Sequence, residues 1–500
     1  MEHFDVLIIG AGLSGIGAGA HMRELCPDKT FAILEGRERS GGTWDLFRYP
    51  GIRSDSDMFT LGYSFRPWKE QKAIADGPSI LNYIRETALD YDLENEIRYG
   101  HRVTRAEWSS ETAVWTVSIS FPQSREDATE PQREETKITC KFLYLCTGYY
   151  EYENGFTPDW PSLSNYKGTV VHPQFWPEDL DYKDKNVVVI GSGATAVTLV
   201  PAMAETAKHV TMLQRSPSYV VSMASQDKIA NFFRKMLPSK AAYAVSRWKN
   251  IVRQALFYEG SKKYPDFMRR LIAKGVRKEL ANESLEHHFE PKYKPWDQRV
   301  CVVPDADLFE AMKAGKASVV TATIDEFTEN GVRLVNGEEL TADIIVTATG
   351  LNLKIMSGLE LVVDGEVVNL STKMAYKGMM YNDVPNLAQA FGYTNASWTL
   401  KCDLTSKYVC RLIKHMDKHG FASCVARDND PTVIRTPVLD FNSTYIVKAL
   451  DELPSQGSRH PWKLHQNYFK DLSMLKYARL DDSVMEFQRS NSNEHSDGVS

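Results

Sequence analysis

The sequence predicts an α/β fold that uses one strand–loop–helix–strand unit twice and carries a helical insert. Three observations predict it. A glycine-rich loop follows a short apolar strand at Gly10, the same order returns at Gly191, and a Lys- and Arg-rich segment of helical character runs from Ile229 to Lys278. The two units lie about 180 residues apart, so one supersecondary unit occurs twice and no short-period repeat is present.

The first unit is predicted as a strand at Phe4–Ile9, a helix that follows Gly15 and runs to about Leu25, and a strand at Phe31–Leu34. Its loop places Gly10, Gly12 and Gly15 in the spacing Gly-x-Gly-x-x-Gly. These glycines permit a tight turn, close approach of a pyrophosphate and helix–strand packing, as in a Rossmann-like domain. Glu35 follows the second strand, where an acid accepts ribose hydroxyls and repels a 2′-phosphate. We therefore expect FAD or NAD here, the alternative being a structural glycine turn with a surface glutamate.

The second unit is predicted as a strand at Val187–Ile190, a helix to about Lys208 and a strand at Val210–Leu213. Its loop has Gly191 and Gly193, with Ala196 in the third place. After its second strand the chain reads Arg215-Ser216 in place of an acid, which suits the 2′-phosphate of NADPH. Two such units predict that NADPH reduces a flavin; the alternative for Arg215 is an ordinary surface arginine.

Composition limits the function classes. A net charge of −6 argues against nucleic acid as a partner, and no apolar run reaches the length of a membrane-spanning helix. The N-terminus does not have the pattern of a signal peptide. Seven scattered cysteines without a Cys-x-x-Cys pair predict free thiols in the cytoplasm and no metal site. Because disulfide reductases need such a pair near the flavin, electrons are expected to leave through oxygen.

We expect five regions along the chain. They are a first part of an FAD-binding domain at 1–150, an NADPH-binding domain at 151–220 and 291–350, a helical insert at 221–290, a return to the FAD-binding domain at 351–487 and a disordered tail at 488–500.

Two longer motifs indicate which reaction the flavin carries out. One is Tyr166-x-Gly168-x-x-x-His172-x-x-x-Trp176-Pro177, and the other runs from Gly41-Gly-Thr-Trp through Tyr49-Pro-Gly to Asp55. Both resemble fingerprints of Baeyer–Villiger monooxygenases, although that family usually has Phe at the position of Tyr166. The runs Gly42–Asp57 and Pro295–Arg299 are most similar to the ethionamide-activating subgroup.

The resemblance implies an active-site Arg299 oriented by Asp55. The family often places Lys before this arginine, whereas this chain has Gln298. His172 and Trp176 would have structural roles in the linker between the two units. Together, the loops and the resemblance predict these cofactor-binding residues: Gly10, Gly12, Ser14, Gly15, Glu35, Thr43, Trp44, Asp45, Leu46, Arg53, Ser54, Asp55, Val103, Gly191, Ser192, Gly193, Ala194, Thr195, Ala196, Arg215 and Ser216.

The activity implied is conversion of a ketone to an ester or lactone by NADPH, O2 and a peroxyflavin. Arg299 would keep the peroxide deprotonated and stabilise the oxyanion of the adduct. Oxygenation of sulfides, thioamides or amines by the same flavin is an alternative, and a flavin-bound redox sensor without turnover is an alternative of another class.

Two further segments have open interpretations. Gly392–Trp398 is expected to open a helix near the flavin, with Tyr393 and Trp398 as candidate pocket residues. The basic insert is either a helical cover over the substrate side or an amphipathic surface for an anionic membrane.

Overall fold

The structure, a computed structural model, describes residues 1–121, 135–280, 283–438 and 452–489. Its largest sheet has nine strands, and parallel strands from the first unit form one end of it. Its strands, in spatial order, are Glu366–Val367, Glu360–Val363, Arg102–Ser109, Val114–Ser120, Glu135–Leu145, Glu2–Ile9, Phe31–Leu34 and Ile97–Arg98, with Leu387–Gln389 also paired to Glu135–Leu145.

A second sheet has five parallel strands from the second unit. Their spatial order is Ala317–Thr321, His209–Gln214, Asn186–Ile190, Ile344–Thr347 and Thr169–Val171. Val187 pairs with Val210 on one side and with Ile344 on the other. The continuous apolar run of Asn186–Ile190 follows from this position, because a central parallel strand is covered on both faces. The fold class predicted from the sequence is thus present.

Smaller sheets complete the strands. Five two-stranded sheets pair Val220–Met223 with Cys301–Pro304, Tyr150–Gly155 with Leu351–Leu353, Ala375–Tyr376 with Met380–Tyr381, Phe421–Ala426 with Met485–Arg489 and Arg435–Pro437 with Ser455–Gly457 among the described residues. A three-stranded sheet consists of Ile324–Thr328, Gly331–Leu334 and Glu339–Thr341. The tail predicted as disordered begins at 488, but Gln488 and Arg489 end a strand that is bonded to Phe421–Ala426. Residues 490–500 lie outside the described residues.

The described α-helices are Leu13–Leu25, Thr43–Leu46, Met58–Leu61, Gly77–Asp90, Ala194–Ala204, Lys228–Met236, Ser239–Lys263, Pro265–Glu279, Asp307–Lys313, Trp398–His419 and Tyr468–Leu472. Short 3-10 helices are at Glu94–Glu96, Pro161–Asn165, Pro173–Phe175, Glu283–Phe289, Ile355–Gly358 and Leu370–Thr372, and a π-helical turn is at Ser473–Tyr477. The helix of the second unit ends at Ala204, earlier than the predicted Lys208. The amide of Lys208 already bonds to the carbonyl of Lys185, so the chain has turned toward its next strand.

The helical insert packs against residues 58–62, which follow the first unit, and this contact positions the insert near the site. Its longest helix, Ser239–Lys263, contacts Met58–Leu61. Arg247 is buried in this contact and donates to the carbonyls of Phe59 and Gly62 at 2.8 and 2.6 Å. Among the residues that the structure describes, no helix is both long and apolar enough to cross a membrane. The limits of the five predicted regions remain a prediction.

Candidate active site

A cavity of about 620 Å³ lies at the carboxyl ends of the first unit's strands. Ile9 and Gly10 border it where one parallel strand ends, and Leu34 and Glu35 border it where the next ends. Ala194 and Arg299 reach it from the second unit's part of the chain. Ligands of open α/β sheets bind at this edge, and the volume is typical of small-molecule and cofactor sites.

The first glycine loop is shaped by close backbone packing. A Cβ on Gly15 would lie 1.8 Å from the carbonyl oxygen of Gly10 and could not be accommodated there. The helix Leu13–Leu25 starts after Gly12, which offers no side-chain acceptor to the first-turn amides. Those N–H groups face the cavity at the positive end of the helix dipole, so they suit a phosphate.

Glu35 is held at the end of the second strand, as the sequence predicts. Its carboxylate accepts the backbone N–H groups of Ala11 at 2.8 Å and Arg37 at 3.0 Å. Burial raises the pKa of Glu35, although these two N–H groups oppose the shift. A ribose hydroxyl donating to this desolvated carboxylate would be a favourable partner.

The segment Gly41–Leu46 lies partly on the cavity and partly behind it. Thr43, Trp44 and Leu46 line the cavity. The carboxylate of Asp45 instead accepts from Arg37 and Arg85, both at 2.7 Å, and Asp45 does not line the cavity. Two guanidinium groups thus neutralise a carboxylate that is only 2% exposed.

The catalytic pair predicted from the resemblance meets in this cavity. A guanidinium nitrogen of Arg299 lies 2.6 Å from the carboxylate of Asp55, and both residues line the cavity with Ser54 and Val103. Asp55 therefore fixes the position of a cation at the border between the two sheets.

Arg53 forms a second link across this border. It forms an ion pair with Asp307, at the start of the helix Asp307–Lys313, and also contacts the carbonyl of Val197 at 3.5 Å. Tyr49, in the same motif, bonds to Thr195, and burial raises the pKa of Tyr49 to about 12. The motif thus contacts the second glycine loop and its helix directly.

The second glycine loop is more open than the first. A Cβ on Gly191 would lie 2.2 Å from the carbonyl oxygen of Ala348, whereas a Cβ on Gly193 would meet nothing within 4 Å. Gly193 therefore faces free space at the start of the helix Ala194–Ala204, which is where a pyrophosphate would approach. The hydroxyl of Ser192 donates to the carbonyl of Ser216 at 3.2 Å, so exposed Arg215 flanks this loop.

The structure divides the predicted cofactor-binding residues into two groups. Gly10, Gly12, Ser14, Glu35, Thr43, Trp44, Leu46, Arg53, Ser54, Asp55, Val103 and Ala194 line the cavity. Gly15, Asp45, Gly191, Ser192, Gly193, Thr195, Ala196, Arg215 and Ser216 do not line it. The sites of these residues in a bound complex remain predictions.

An aromatic wall was missed by the cofactor-binding prediction. The ring of Tyr149 stacks on Trp398 at 5.1 Å, Phe391 packs against both, and all three line the cavity. The indole of Trp398 donates to the hydroxyl of Ser14 at 2.8 Å. Tyr149 follows a strand of the parallel part of the sheet, and that position could have identified it.

Tyr393 and Trp398, named only as candidates, do line the cavity. Trp398 is the first residue of the helix Trp398–His419, as the sequence pattern predicts, but the side chain of Ser397 does not cap this helix. That hydroxyl lies instead 2.6 Å from the hydroxyl of Thr60, which ties the helix start to Met58–Leu61.

His172 is held by backbone groups on both sides of its ring. Nδ1 accepts from the amide of Gln174 at 3.2 Å, and Nε2 lies 3.2 Å from the carbonyl of Gly350. Burial lowers the pKa of His172, although its backbone contacts oppose the shift. This geometry fits the structural role expected for the linker.

Comparison with known proteins shows the family. A family model described as "Flavin-binding monooxygenase-like" matches residues 62–418. A second model, described as "NAD(P)-binding Rossmann-like domain", matches residues 8–70. The chain is 50% identical over 490 residues to "FAD-containing monooxygenase EthA" of Mycobacterium tuberculosis (strain ATCC 25618 / H37Rv), covering 98% of both chains. It is 46% identical to "Probable FAD-binding monooxygenase AlmA" of Acinetobacter baylyi, covering 98% of this chain and 97% of the other.

Solved structures show the same fold at lower identity. The structure described as "Oxidized steroid monooxygenase bound to NADP" has a TM-score of 0.74 at 22% identity, covering 97% of this chain and all of the other. "Open crystal structure of cyclohexanone monooxygenase" has a TM-score of 0.71 at 20% identity, covering 86% and 90%. The predicted cofactor types, a flavin and a nicotinamide dinucleotide, are confirmed at the level of the family. From its matched residues and its close relatives, this chain belongs to the flavin-binding monooxygenase-like family.

Proposed function

We propose that this monooxygenase uses FAD, NADPH and O2 to convert a ketone into an ester or lactone. The observation that carries the proposal is the ion pair of Arg299 and Asp55 in the cavity beside the first glycine loop. Relatives with "FAD-containing" and "FAD-binding" in their names, and a structural neighbour named for cyclohexanone, support it.

The residues of the first unit fit FAD. The amides after Gly12 would hold the pyrophosphate, Glu35 would accept ribose hydroxyls, and the wall of Tyr149 and Trp398 offers flat apolar surface to a ring system. When bound and reduced, the flavin supplies electrons to O2 and makes one oxygen atom available for transfer.

The residues of the second unit fit NADPH. The free space at Gly193 would admit the pyrophosphate, and exposed Arg215 would hold the 2′-phosphate through charge-assisted hydrogen bonds. A structural neighbour described as a complex with FAD and NADP supports this arrangement.

Arg299 would act on the charge that develops during oxygen transfer to a carbonyl. Its guanidinium stays protonated at any working pH, so it stabilises negative charge on the oxygen of the attacked carbonyl. Asp55 would hold the guanidinium in place, which avoids reorganisation when that charge appears.

Oxygenation of sulfides, thioamides or amines is the second candidate. The observation that favours it is the family match, whose description names a flavin-binding monooxygenase and no ketone. Oxygen transfer to sulfur or nitrogen does not build an alkoxide, so it needs the charge of Arg299 less. Membership of a monooxygenase family argues against a sensor without turnover. A cytoplasmic location belongs to this proposal; the seven cysteines, all free and buried, are compatible with it.

A substrate screen tests the proposal. Purified enzyme with NADPH would be supplied with aliphatic, cyclic and aryl ketones and with matched sulfides, and products would be identified by mass spectrometry. We expect ketone-stimulated NADPH oxidation with ester or lactone as product. Sulfoxides formed without any ester would favour the second candidate instead.

A further inference from the structure

The three helices of the insert carry large apolar side chains on their solvent side. Phe232 is 58% exposed on Lys228–Met236, Leu256 is 68% exposed on Ser239–Lys263, and Phe267 is 60% exposed on Pro265–Glu279. Each belongs to a stripe at helical spacing. We call these stripes the insert face: Ile229, Phe232, Met236, Val245, Trp248, Val252, Leu256, Phe267 and Leu271. Apolar exposure on this scale marks an interaction surface.

Basic side chains accompany the insert face. Residues 228–280 contain fourteen Lys or Arg and three Asp or Glu, in a chain whose net charge is −6. Eleven of those basic residues are exposed. Two of the others serve the fold, since Arg247 is buried against residues 59–62 and Lys249 pairs with Asp227. Three of the exposed basic residues also pair with acidic side chains within the chain: Arg253, Lys262 and Arg277. The positive charge of the other eight is available to an external partner.

We propose that the insert face docks on an anionic lipid bilayer. Helices with exposed aromatic and aliphatic stripes flanked by Lys and Arg lie in the interface of such membranes, where apolar burial and attraction to anionic headgroups add. A second copy of this chain is a poorer occupant, because a two-fold contact would oppose two strongly positive faces. A neutral apolar partner would leave the basic residues without a role.

The insert face lies next to the cavity. The ring of Trp248 is 5.9 Å from that of Tyr468, and Tyr468 packs in one cluster with Tyr393 and Ala396. Tyr393 and Ala396 line the cavity. Docking would therefore bring the membrane within about one layer of side chains of the proposed active site. The inference does not depend on the proposed function, since vesicle binding requires no turnover.

Vesicle flotation of the full, flavin-loaded chain tests the inference. The vesicles would be phosphatidylcholine alone and phosphatidylcholine mixed with an equal amount of phosphatidylglycerol. We expect flotation with the anionic vesicles, little with the neutral ones, and release when salt is raised to about 0.5 M.

Paired variants separate the apolar and basic contributions. F232S/F267S removes two exposed rings, and K274E/K278E reverses two charges. Each lost basic contact weakens membrane binding about fivefold, so we expect K274E/K278E to lower the affinity for anionic vesicles at least about 25-fold. The matched controls are I434S, at a residue 68% exposed outside the insert, and K208E/K316E, at exposed lysines of the second unit. Circular dichroism and flavin absorbance would show that each variant is folded.

Three outcomes would overturn the inference. They are failure of the wild-type chain to float with anionic vesicles, unchanged flotation of both insert variants, and equal losses in the controls. Light scattering tests whether a second copy of the chain covers the insert face instead. If the wild type self-associates and F232S/F267S abolishes this self-association, the face belongs to an interface between copies.

Discussion

A guanidinium nitrogen of Arg299 lies 2.6 Å from the carboxylate of Asp55. Asp55 ends the motif that follows the first unit, and Arg299 follows the helical insert, so the pair joins distant parts of the chain across the cavity. The resemblance implies that Asp55 orients Arg299, and the structure places their charged groups in contact.

Arg299→Ala is expected to lower ketone oxygenation at least about a hundredfold while leaving flavin bound, because it removes a fixed charge at the reacting oxygen. Arg299→Lys is the matched variant and should keep part of the activity, since the charge remains but the fork that pairs with Asp55 is lost. Product formation and flavin absorbance would be measured in parallel. Unimpaired ester formation by Arg299→Ala would contradict the role proposed for Arg299.

Arg215→Ala is expected to raise the KM for NADPH by about ten- to a hundredfold and to leave the KM for NADH nearly unchanged. The physical reason is the loss of hydrogen bonds from a cation to the 2′-phosphate. Lys208→Ala, at an exposed residue of the same unit, is the control. Steady-state kinetics with both coenzymes would decide, and an equal change for the two would show that Arg215 does not read the phosphate.

Gly15→Ala is expected to yield protein that does not retain FAD. The added Cβ would lie 1.8 Å from the carbonyl oxygen of Gly10, so the first loop must change its shape. Gly260→Ala is the control, because a Cβ on that glycine of Ser239–Lys263 meets nothing within 4 Å. The flavin-to-protein absorbance ratio after purification measures the effect; a normal ratio in Gly15→Ala would be inconsistent with this packing.

Asp403→Asn is expected to destabilise the protein by about 2–4 kcal/mol at neutral pH. Burial opposes ionisation of Asp403, but the hydrogen bond from His21 and the charges of Lys407 and Arg247 outweigh it and hold the pKa of this carboxyl well below its ordinary range. A depressed pKa stabilises the folded state fully above the unfolded-state value of about 3.9, and this contribution fades as the pH falls toward the folded-state pKa.

The difference in unfolding free energy between wild type and Asp403→Asn should therefore shrink as the pH falls from about 5 to about 3. Urea unfolding at several pH values would measure it, with Asp179→Asn as the control at an exposed carboxyl. A difference that stays constant over this range would mean that the charge of Asp403 does not stabilise the fold.

Much of the fold follows from local sequence. The strand Phe31–Leu34 has the predicted bounds, since apolar runs act over a few residues. The helix Leu13–Leu25 ends where it was predicted to end, but it begins within the glycine loop, before Gly15. The end of the second unit's helix at Ala204 was misplaced because the amide of Lys208 bonds to Lys185, outside the local pattern.

Contacts between distant segments were less predictable. The ion pair of Arg53 with Asp307 and the burial of Arg247 depend on how the insert and the second unit pack against the first. Neither is visible in composition or spacing. The hydrogen bonds of Arg37 and Arg85 to the carboxylate of Asp45 are likewise not visible in the sequence pattern.

Oxygen-isotope labelling tests the central claim most directly. The enzyme would convert a ketone in the presence of NADPH under ¹⁸O2, and the product would be analysed by mass spectrometry. The account predicts an ester or lactone that carries one ¹⁸O atom, with about one NADPH oxidised per labelled product. NADPH oxidation that yields only hydrogen peroxide across ketone and sulfide substrates, without labelled product, would contradict it.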